Sequence, residues 1–387
     1  MALIRFGIRH NLFYILMLIA SIISRDIVSK IIENFFEDKG KKNDNGILLT
    51  LIMFLAEFLF GLVLYRYQLK FLYKKNKIKD PTFMGIKLIQ STSKLSKPID
   101  NNFIMYLLII STSFFDFLEF ILTAYYLPDI GKPFSDSLNI RIRSILAILS
   151  GLFCCFIFKY KIYKHQKCSL VVISICLFIT IITEHIIISI TKSSEKFKLN
   201  MYMILILINH LFYSTLENTE KYLLEYDFIN PFQMLMLQGF FGFIFTFIFL
   251  IIYKIKKPKF KIKYSISNKG FIIILIILLL LYFFFSGTRN SYRLLTNKLY
   301  SPATLALIYL TEDPINIIYY YLKESDFEGN IFYFIWSLIL SIIILFSTLI
   351  YNEFLILFFC DLDHDTHYQI SNRSSAESMT EIPIIDE

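Results

Sequence analysis

The sequence predicts an all-α polytopic membrane protein, and three observations support that class. The chain has 387 residues, of which 56% are hydrophobic and only 18% are charged, whereas soluble domains carry about 25% charged residues. Its apolar residues are grouped in blocks of about twenty, the length that crosses a bilayer core as a helix. The blocks are continuously apolar rather than alternating, which excludes a closed β-barrel.

Ten such blocks are expected to form transmembrane helices. The first could be read as a signal peptide, but Arg25 and Asp26 follow it where a small-residue cleavage site would stand. It is therefore kept as a span. The ten predicted spans cover residues 8–28, 46–66, 102–126, 140–159, 168–191, 200–223, 232–253, 270–288, 300–322 and 331–359.

Ten spans divide into two repeats of five, at residues 1–191 and 192–359. Because each repeat has an odd number of spans, the second must enter the membrane from the opposite side, as in the inverted repeats of many secondary transporters. Spans 3 and 4, and spans 8 and 9, are both joined by short proline-containing turns. Residues 360–387 are predicted to form a disordered polar tail.

The formal net charge of +8 indicates lipid head groups as the partner, and not nucleic acid. The lysines are concentrated in loops beside the spans, where anionic lipids are the nearest counter-charge. The two sides of the membrane carry nearly equal numbers of Lys and Arg, so the positive-inside rule barely decides the orientation. The lysine-rich loop at residues 67–101 favours a cytosolic N-terminus, and the one at 254–269 opposes it.

The chain lacks the motifs of soluble enzymes, since no nucleotide-binding loop, glycine-rich fingerprint or zinc-protease motif is present. We therefore expect no catalytic residues and no cofactor. The five cysteines lack metal-ligand spacing and are interpreted as reduced packing residues. The segment Asp361–His367 resembles a metal motif, but it opens the flexible tail, so no metal site is predicted.

Ionisable residues inside spans are candidate functional groups, because a charge at the bilayer centre costs about 2.5–3.5 kcal/mol. Asp116 and Glu119 lie three residues apart in span 3 and share a helix face. Such a pair suits cation or proton coupling; alternatively, one carboxyl is protonated and bonded to a neighbouring helix. Glu57, in the middle of span 2, has the same two interpretations.

Span 4 opens with Arg141 and Arg143, and a guanidinium must face water, a carboxylate or an anionic substrate. Arg143 lies one turn deeper than a head-group anchor requires, so it is a candidate substrate clamp or ion-pair partner, with an interface anchor as the alternative. In span 6, Asn209 and His210 lie at mid-depth. Glu217 shares the face of His210, although it is close enough to the end to contact water.

The tripeptide Glu312–Pro314 in the middle of span 9 predicts a broken helix, because proline cannot donate to the helical ladder. Two acids beside freed carbonyls are typical of the discontinuous helices that bind solutes in transporters. The alternative is a simple kink whose acids are neutralised by Arg289, Arg293 or Lys298. Glu184–His185, near the end of span 5, is interpreted as a rim pair.

Several short strings resemble the drug/metabolite transporter superfamily (EamA-like), and more closely the F-type branch of solute carrier family 35, near the chloroquine-resistance-transporter-like proteins. The clearest runs from Glu220-Lys221 through Pro231 to Gly239–Phe243 and is similar to the branch's Glu-Glu-Lys, Pro and Gly-Leu-Phe-Gly-Phe. The others are Phe54–Phe58, Asp116, and Arg143 with Ser150–Phe153. The chain departs from the branch at two places. The branch has an acid where this chain has Gln238, and the branch has an arginine in span 9 where this chain has Thr311–Asp313.

The resemblance implies a secondary transporter of a small organic solute that works by alternating access, with spans 3, 4, 8 and 9 rocking around a central cavity. The excess of acids favours a cationic or zwitterionic cargo. It also implies an endomembrane such as Golgi, vacuole or lysosome rather than the plasma membrane. A structural or scaffold subunit of a membrane complex and, with less support, an intramembrane lipid enzyme are the alternatives; a homodimer is left open.

Overall fold

The computed structural model describes residues 4–6, 12–36, 44–76, 102–127, 142–157, 159, 162–191, 196–225, 229–256, 269–323, 331–364, 366 and 369. Arg141, most of the loop at 67–101 and nearly all of the predicted tail lie outside these residues, so the predictions made for them are not addressed by the structure. The described part is predominantly α-helical. A helix satisfies its own backbone hydrogen bonds, which is what a chain in lipid requires.

The first five helices coincide with predicted spans 1 to 5. The third continues into a single π-helical turn at Leu122–Tyr126. They are α1 (Leu12–Phe36), α2 (Asp44–Asn76), α3 (Asn102–Ile121), α4 (Ile145–Ile157) and α5 (Lys164–Thr191).

The remaining helices coincide with predicted spans 6 to 10, with span 9 divided into two. A 3-10 turn at Leu310–Glu312 separates its two helices. They are α6 (Lys196–Glu225), α7 (Pro231–Lys256), α8 (Lys269–Leu299), α9 (Pro302–Tyr309), α10 (Asp313–Lys323) and α11 (Ile331–Tyr351).

Six of the described helices are long and apolar enough to cross a membrane, with mean hydropathies between 1.8 and 2.6. By length and composition these helices fit an α-helical polytopic membrane protein. Helix α4 also carries an apolar stretch, but a shorter one, at Ile145–Phe156. The six stretches are Gly46–Lys70, Phe103–Ile121, Lys164–Ile186, Pro231–Ile255, Ile272–Leu299 and Ile331–Tyr351.

The break predicted in span 9 is confirmed. Helix α9 begins after Ser301, whose hydroxyl accepts a hydrogen bond from the Thr304 amide at 3.1 Å, with Pro302 in the first turn. At its other end the ladder tightens into the 3-10 turn, where the Asp313 amide bonds to the Leu310 carbonyl. Pro314 has no amide hydrogen to donate to that carbonyl, which explains why the regular α-helix stops here.

The last helix ends eight residues before the predicted limit of span 10 at residue 359. It stops at Tyr351 because Glu353 adopts a left-handed conformation (φ 58°), and the Phe354 amide then bonds to the Leu349 carbonyl at 2.9 Å. The chain continues into a strand, Leu355–Leu357 (β2), which pairs antiparallel with Ile4–Phe6 (β1). An apolar run could not reveal this stop, because the strand is as apolar as the helix.

Helices α2 and α7 pack closely through reciprocal glycines. A methyl group added at Gly61 of α2 would overlap the backbone of Met236 in α7, and one added at Gly239 of α7 would overlap the backbone at Phe58 in α2. Small residues of this kind allow two helix backbones to approach within a membrane. The other main contacts are α1 with α8, α3 with α6 and α7, α2 with α8, α4 with α6 and α9, and α5 with α11.

Candidate functional site

A central cavity of about 130 Å³ lies between α1, α3, α6, α8 and α9 and the turns beside α4 and α10. This volume is below the range of about 300–1,000 Å³ for sites that hold drug-sized ligands, so the cavity suits a small solute. Its wall combines aromatic side chains with an unusual density of charge. The charged lining residues are Arg25, Asp26, Glu119, Arg143, Arg289 and Glu312.

Two ion pairs neutralise four of these six charges. Arg25 bonds to its neighbour Asp26 at 2.8 Å within α1. Arg143, in the turn before α4, bonds to Glu312 in the 3-10 turn after α9, and its Nη1 atom lies 3.6 Å from the Asp313 carboxylate. The second pair therefore joins the first five-helix segment to the second, and it does so at the helix break.

Arg289 and Glu119 have no opposite charge within salt-bridge distance among the described residues. Arg289 donates to the Asn290 side chain at 3.0 Å, and its guanidinium lies 5.4 Å from the centre of the Tyr309 ring. Glu119 accepts a hydrogen bond from the Thr123 hydroxyl at 3.2 Å and interacts electrostatically with Arg289. The cavity thus presents one available cation and one available anion, which is the arrangement that a zwitterionic solute requires.

Glu119 is held by a short chain of hydrogen bonds from the neighbouring helix. Asn209 of α6 donates to the Thr123 hydroxyl at 3.1 Å, and Thr123, within the π-helical turn, donates in turn to Glu119. The predicted site residue Asn209 therefore supports the cavity through Thr123 and does not line it. Its neighbour His210 lines the cavity itself, and no hydrogen-bond partner for the His210 Nε2 atom is found among the described residues.

A second polar region is buried among α2, α3, α6, α7 and α8, away from the cavity. Arg293 of α8, only 2% exposed, pairs with Glu220 of α6 at 2.8 Å and also interacts electrostatically with Asp116. The carboxylates of Glu57 and Glu217 are fully buried in the same region. Four acids therefore surround one guanidinium, and we call these five residues the acidic network.

Gln238 of α7 donates hydrogen bonds to two side chains in and beside the acidic network. Its amide donates to the Thr112 hydroxyl at 3.0 Å and to the Glu220 carboxylate at 3.0 Å. Asn297 of α8 adds a further bond to Glu220 at 3.2 Å. The amide donors at Gln238 and Asn297, together with Arg293, give the Glu220 carboxylate the hydrogen bonds and the counter-charge that a buried ion needs.

Two adjacent residues of α8 connect the cavity with the acidic network. Asn290 accepts the hydrogen bond from Arg289 and donates to the Glu57 carboxylate. Arg289 faces the cavity, whereas Glu57 is completely buried. A single side-chain amide therefore bridges Arg289 and the Glu57 carboxylate.

Nine of the ten predicted site residues fall into two groups that the sequence does not separate. Glu119, Arg143, His210 and Glu312 line the cavity, and Asn209 supports it. Glu57, Asp116, Glu217 and Gln238 belong to or contact the acidic network. Asp313 lies beside Arg143 and lines a different pocket.

The sequence analysis missed Arg25, Asp26, Arg289 and Arg293 as site residues. It used Arg25 and Asp26 only to exclude a signal peptide, and it ended span 8 at residue 288, before Arg289 and Arg293. Arg289 and Arg293 were considered only as alternative partners for the span 9 acids, whose partner in the structure is Arg143. A helical stripe extended beyond residue 288 would have found them. Polar residues recur every three or four positions along one face of α8, at Ser286, Arg289, Asn290, Arg293 and Asn297.

Among the described residues no group of three His, Cys, Asp or Glu side chains could hold a metal ion. All five cysteines lie in the described part and are free. A scan against protein-family models and a search of curated proteins give no match for this chain. The fold and its long apolar helices therefore define the class, a multi-pass α-helical membrane protein, while its activity must be argued from the cavity.

Proposed function

We propose that this protein is a secondary active transporter of a small zwitterionic solute and works by alternating access. The observation that carries the proposal is the central cavity, in which Arg289 and Glu119 offer opposite charges and neither forms a salt bridge among the described residues. The cavity wall is built from helices of both halves of the chain. A solute bound there would contact both halves at once, as a transported solute must.

The helix contacts support ten membrane crossings in two inverted five-helix repeats. If span n is exchanged with span n + 5, the contact of α2 with α7 and the contact of α5 with α11 are each preserved. The contact of α1 with α8 becomes that of α6 with α3, and the contact of α2 with α8 becomes that of α7 with α3. The reciprocal packing of Gly61 and Gly239 obeys the same exchange. Such internal symmetry is typical of transporters with inverted repeats.

The Arg143–Glu312 pair would serve as a lock between the two repeats. Arg143 begins span 4 and Glu312 lies at the break in its counterpart, span 9, so the pair joins equivalent elements. Rocking of spans 3, 4, 8 and 9 would break the bond on one side of the cavity. A solute carboxylate or ammonium could offset the lost interaction, which would couple opening to occupancy.

The acidic network would be the coupling site. Glu57, Asp116 and Glu217 share one guanidinium with Glu220, so full ionisation would leave three negative charges buried in protein. Uptake and release of a proton there would affect Arg289 through the two hydrogen bonds of the Asn290 side chain. A gradient is the energy source in this scheme, since the sequence carries no nucleotide-hydrolysing motif and no enzymatic role is proposed.

The family assignment forms part of the proposal. The motifs that run through Phe54–Phe58, Glu220-Lys221 and Gly239–Phe243 support membership of the drug/metabolite transporter superfamily, in the F-type branch of solute carrier family 35. Two of these strings form the α2–α7 contact at Gly239 and Phe58. An endomembrane location such as Golgi, vacuole or lysosome follows only from that resemblance.

The test begins with ligand binding to the purified full chain in detergent. Thermal unfolding would be measured against amino acids, short peptides, polyamines, nucleotides, nucleotide sugars and drug-like cations at two pH values. A ligand at one hundred times its dissociation constant stabilises the fold by about 2.7 kcal/mol. We expect zwitterions to stabilise the protein, and the effect to disappear in Arg289→Gln and in Glu119→Gln. Thr288→Val, on an exposed neighbouring position of α8, is the matched control.

Each hit would then be tested for counterflow, the exchange of labelled for unlabelled solute across proteoliposomes. Exchange that is lost in Arg289→Gln and retained in Thr288→Val supports a transporter. Binding without exchange, or a folded protein that responds to no compound, would instead favour the scaffold alternative. In that case Asp116→Asn and Glu312→Gln should leave the protein's partner interactions intact.

A further inference from the structure

The central cavity limits the size of the solute that it can hold. An engineered protein cavity of about 150 Å³ holds one benzene molecule. The central cavity, at about 130 Å³, therefore has room for about six non-hydrogen atoms. A carboxylate and an ammonium group use about four of these atoms. A zwitterion that fits the cavity thus has one or two further carbon atoms.

The charges on the cavity wall favour a solute without net charge. The charged lining residues are three arginines and three carboxylates, so the wall is neutral when all of them are ionised. An ion with a single charge would add an uncompensated charge away from bulk water, which is costly. A zwitterion adds none. Glu119 and Arg289 interact electrostatically without a salt bridge between them, and they provide one wall group for each charge of a zwitterion.

Two guanidinium groups on the wall have an N–H group without an acceptor. For Arg25 Nη1 and Arg289 Nε, no hydrogen-bond partner is found among the described residues. The Asp26 carboxylate accepts from Nε and Nη2 of Arg25, which leaves Nη1 unused. The two arginines lie on the packed helices α1 and α8, and both interact electrostatically with Tyr282 and Glu119. A carboxylate, with two acceptor oxygens, matches these two donors.

Apolar side chains form the rest of the wall that a solute would meet. Ile22 of α1, Phe120 of α3 and Leu146 of α4 line the cavity together with the charged groups. The Phe120 ring packs edge-on against Phe54, with 6.1 Å between the ring centres. These side chains can contact a methyl group, but they offer no hydrogen bond to a longer polar chain. Phe120 is the largest of the three and therefore sets the limit on solute size.

We propose that the central cavity binds a small amino acid of the size of glycine or alanine. Its carboxylate would lie between Arg25 and Arg289, its ammonium group at Glu119 and its alkyl part against Phe120. This inference rests on the proposed function, because it names the solute class for the same cavity. It adds Arg25 and Phe120 as residues that determine specificity. Selectivity and transport are separate properties, since a site can bind an amino acid without moving it.

The first experiment measures binding of radiolabelled alanine to the purified full chain in dodecylmaltoside by scintillation proximity. Unlabelled glycine, alanine, valine, leucine and phenylalanine are the competitors. We expect glycine and alanine to displace the label, and each added methylene group to weaken binding about tenfold or more. Lactate and alaninamide match alanine in shape, but lactate lacks its positive charge and alaninamide its negative charge. Each should bind at least about tenfold more weakly than alanine.

Two variants test the specificity residues, each with a matched control. Arg25→Gln should lower the preference for alanine over alaninamide at least tenfold, whereas Arg66→Gln, which removes an exposed guanidinium of α2 outside the cavity, should not change it. Phe120→Leu should strengthen valine relative to alanine at least tenfold, whereas Phe114→Leu, at a 42% exposed position of the same helix, should not. Partial unfolding weakens all ligands together, so these ratios report on the site. Phe120→Leu decides the question if Arg25→Gln does not fold.

The outcomes separate this inference from the proposed function. Small amino acids that bind with the expected selectivity but are not exchanged across proteoliposomes support the site and overturn transport. Larger zwitterions that are exchanged, and that compete as well as alanine, support transport and overturn the size limit. The inference is also overturned if alanine does not bind, if lactate or alaninamide competes as well as alanine, or if either folded variant leaves its ratio unchanged.

Discussion

The Arg143–Glu312 pair makes a quantitative prediction, because its surroundings contain a second acceptor. The side chains of Arg143 and Glu312 are 22% and 8% exposed, so the pair is largely withdrawn from solvent. Removing one partner of a buried pair typically costs about 3–5 kcal/mol, since an uncompensated charge remains. Asp313, at 3.6 Å, stays beside Arg143 when Glu312 is lost.

We therefore expect Glu312→Gln to destabilise the protein by only about 1–3 kcal/mol, below the range for a charge left alone. Arg143→Gln should cost more, about 3–5 kcal/mol, because it leaves Glu312 and Asp313 together without their guanidinium. The double variant should be more stable than the sum of the single losses predicts. The favourable coupling energy should be about 1.5 kcal/mol or more.

The assay is equilibrium unfolding of the four proteins in mixed detergent micelles, followed by circular dichroism. Fluorescence of Trp336 is unsuitable as the signal because that residue lies in the pocket that Asp313 shares. The reasoning is refuted if the single effects add to the double effect within about 0.5 kcal/mol, or if Arg143→Gln is less damaging than Glu312→Gln.

Three further predictions concern packing, the link through Asn290, and the cysteines. Gly239→Ala should destabilise the protein by about 1–3 kcal/mol because the added methyl group overlaps the α2 backbone. Gly151→Ala is the control and should not destabilise it, because the methyl group there meets only the end of the Leu170 side chain. Equal thermal unfolding of the two variants would contradict the close α2–α7 packing. Asn290→Ala should cost about 1.5–3 kcal/mol because Glu57 loses a buried donor, and this loss should shrink in a Glu57→Gln background; an unchanged loss would show that the bond contributes nothing. All five cysteines are free, so dithiothreitol should leave the unfolding temperature unchanged, and a lower one would indicate a disulfide.

The positions of the helices could be predicted because any segment in lipid must be apolar and must satisfy its own backbone hydrogen bonds as a helix. Every predicted span coincides with a helical segment, and the break at Glu312–Pro314 was expected because a missing amide hydrogen is a local property. The errors are at the ends. Helix α11 stops at Tyr351 because Glu353 adopts a left-handed backbone conformation. Helix α8 continues through Arg293 to Leu299. A hydropathy average shows neither of these helix ends.

The candidate site could be predicted only in part. Asp116 and Glu119 were paired because they share a helix face, yet Glu119 lines the cavity while Asp116 belongs to the acidic network. The two regions adjoin on one face of α3, where Asp116 interacts electrostatically with Glu119. The sequence analysis noted Gln238 only because the branch has an acid at that position. Gln238 donates a hydrogen bond to Glu220, which lies eighteen residues earlier in the chain and on a different helix, so the sequence could not show this contact.

The sequence alone predicted an α-helical membrane protein, an interruption in span 9, and acids and arginines within or beside the apolar spans. These features depend on the length of an apolar run or on the covalent structure of one residue. Only the tertiary structure decided which charges meet. Arg143 finds Glu312 across 169 positions of the chain and Arg293 finds Glu220, while Arg289 and Glu119 are left facing the cavity, because a charge in a low-dielectric interior is paired by spatial proximity and not by distance along the chain.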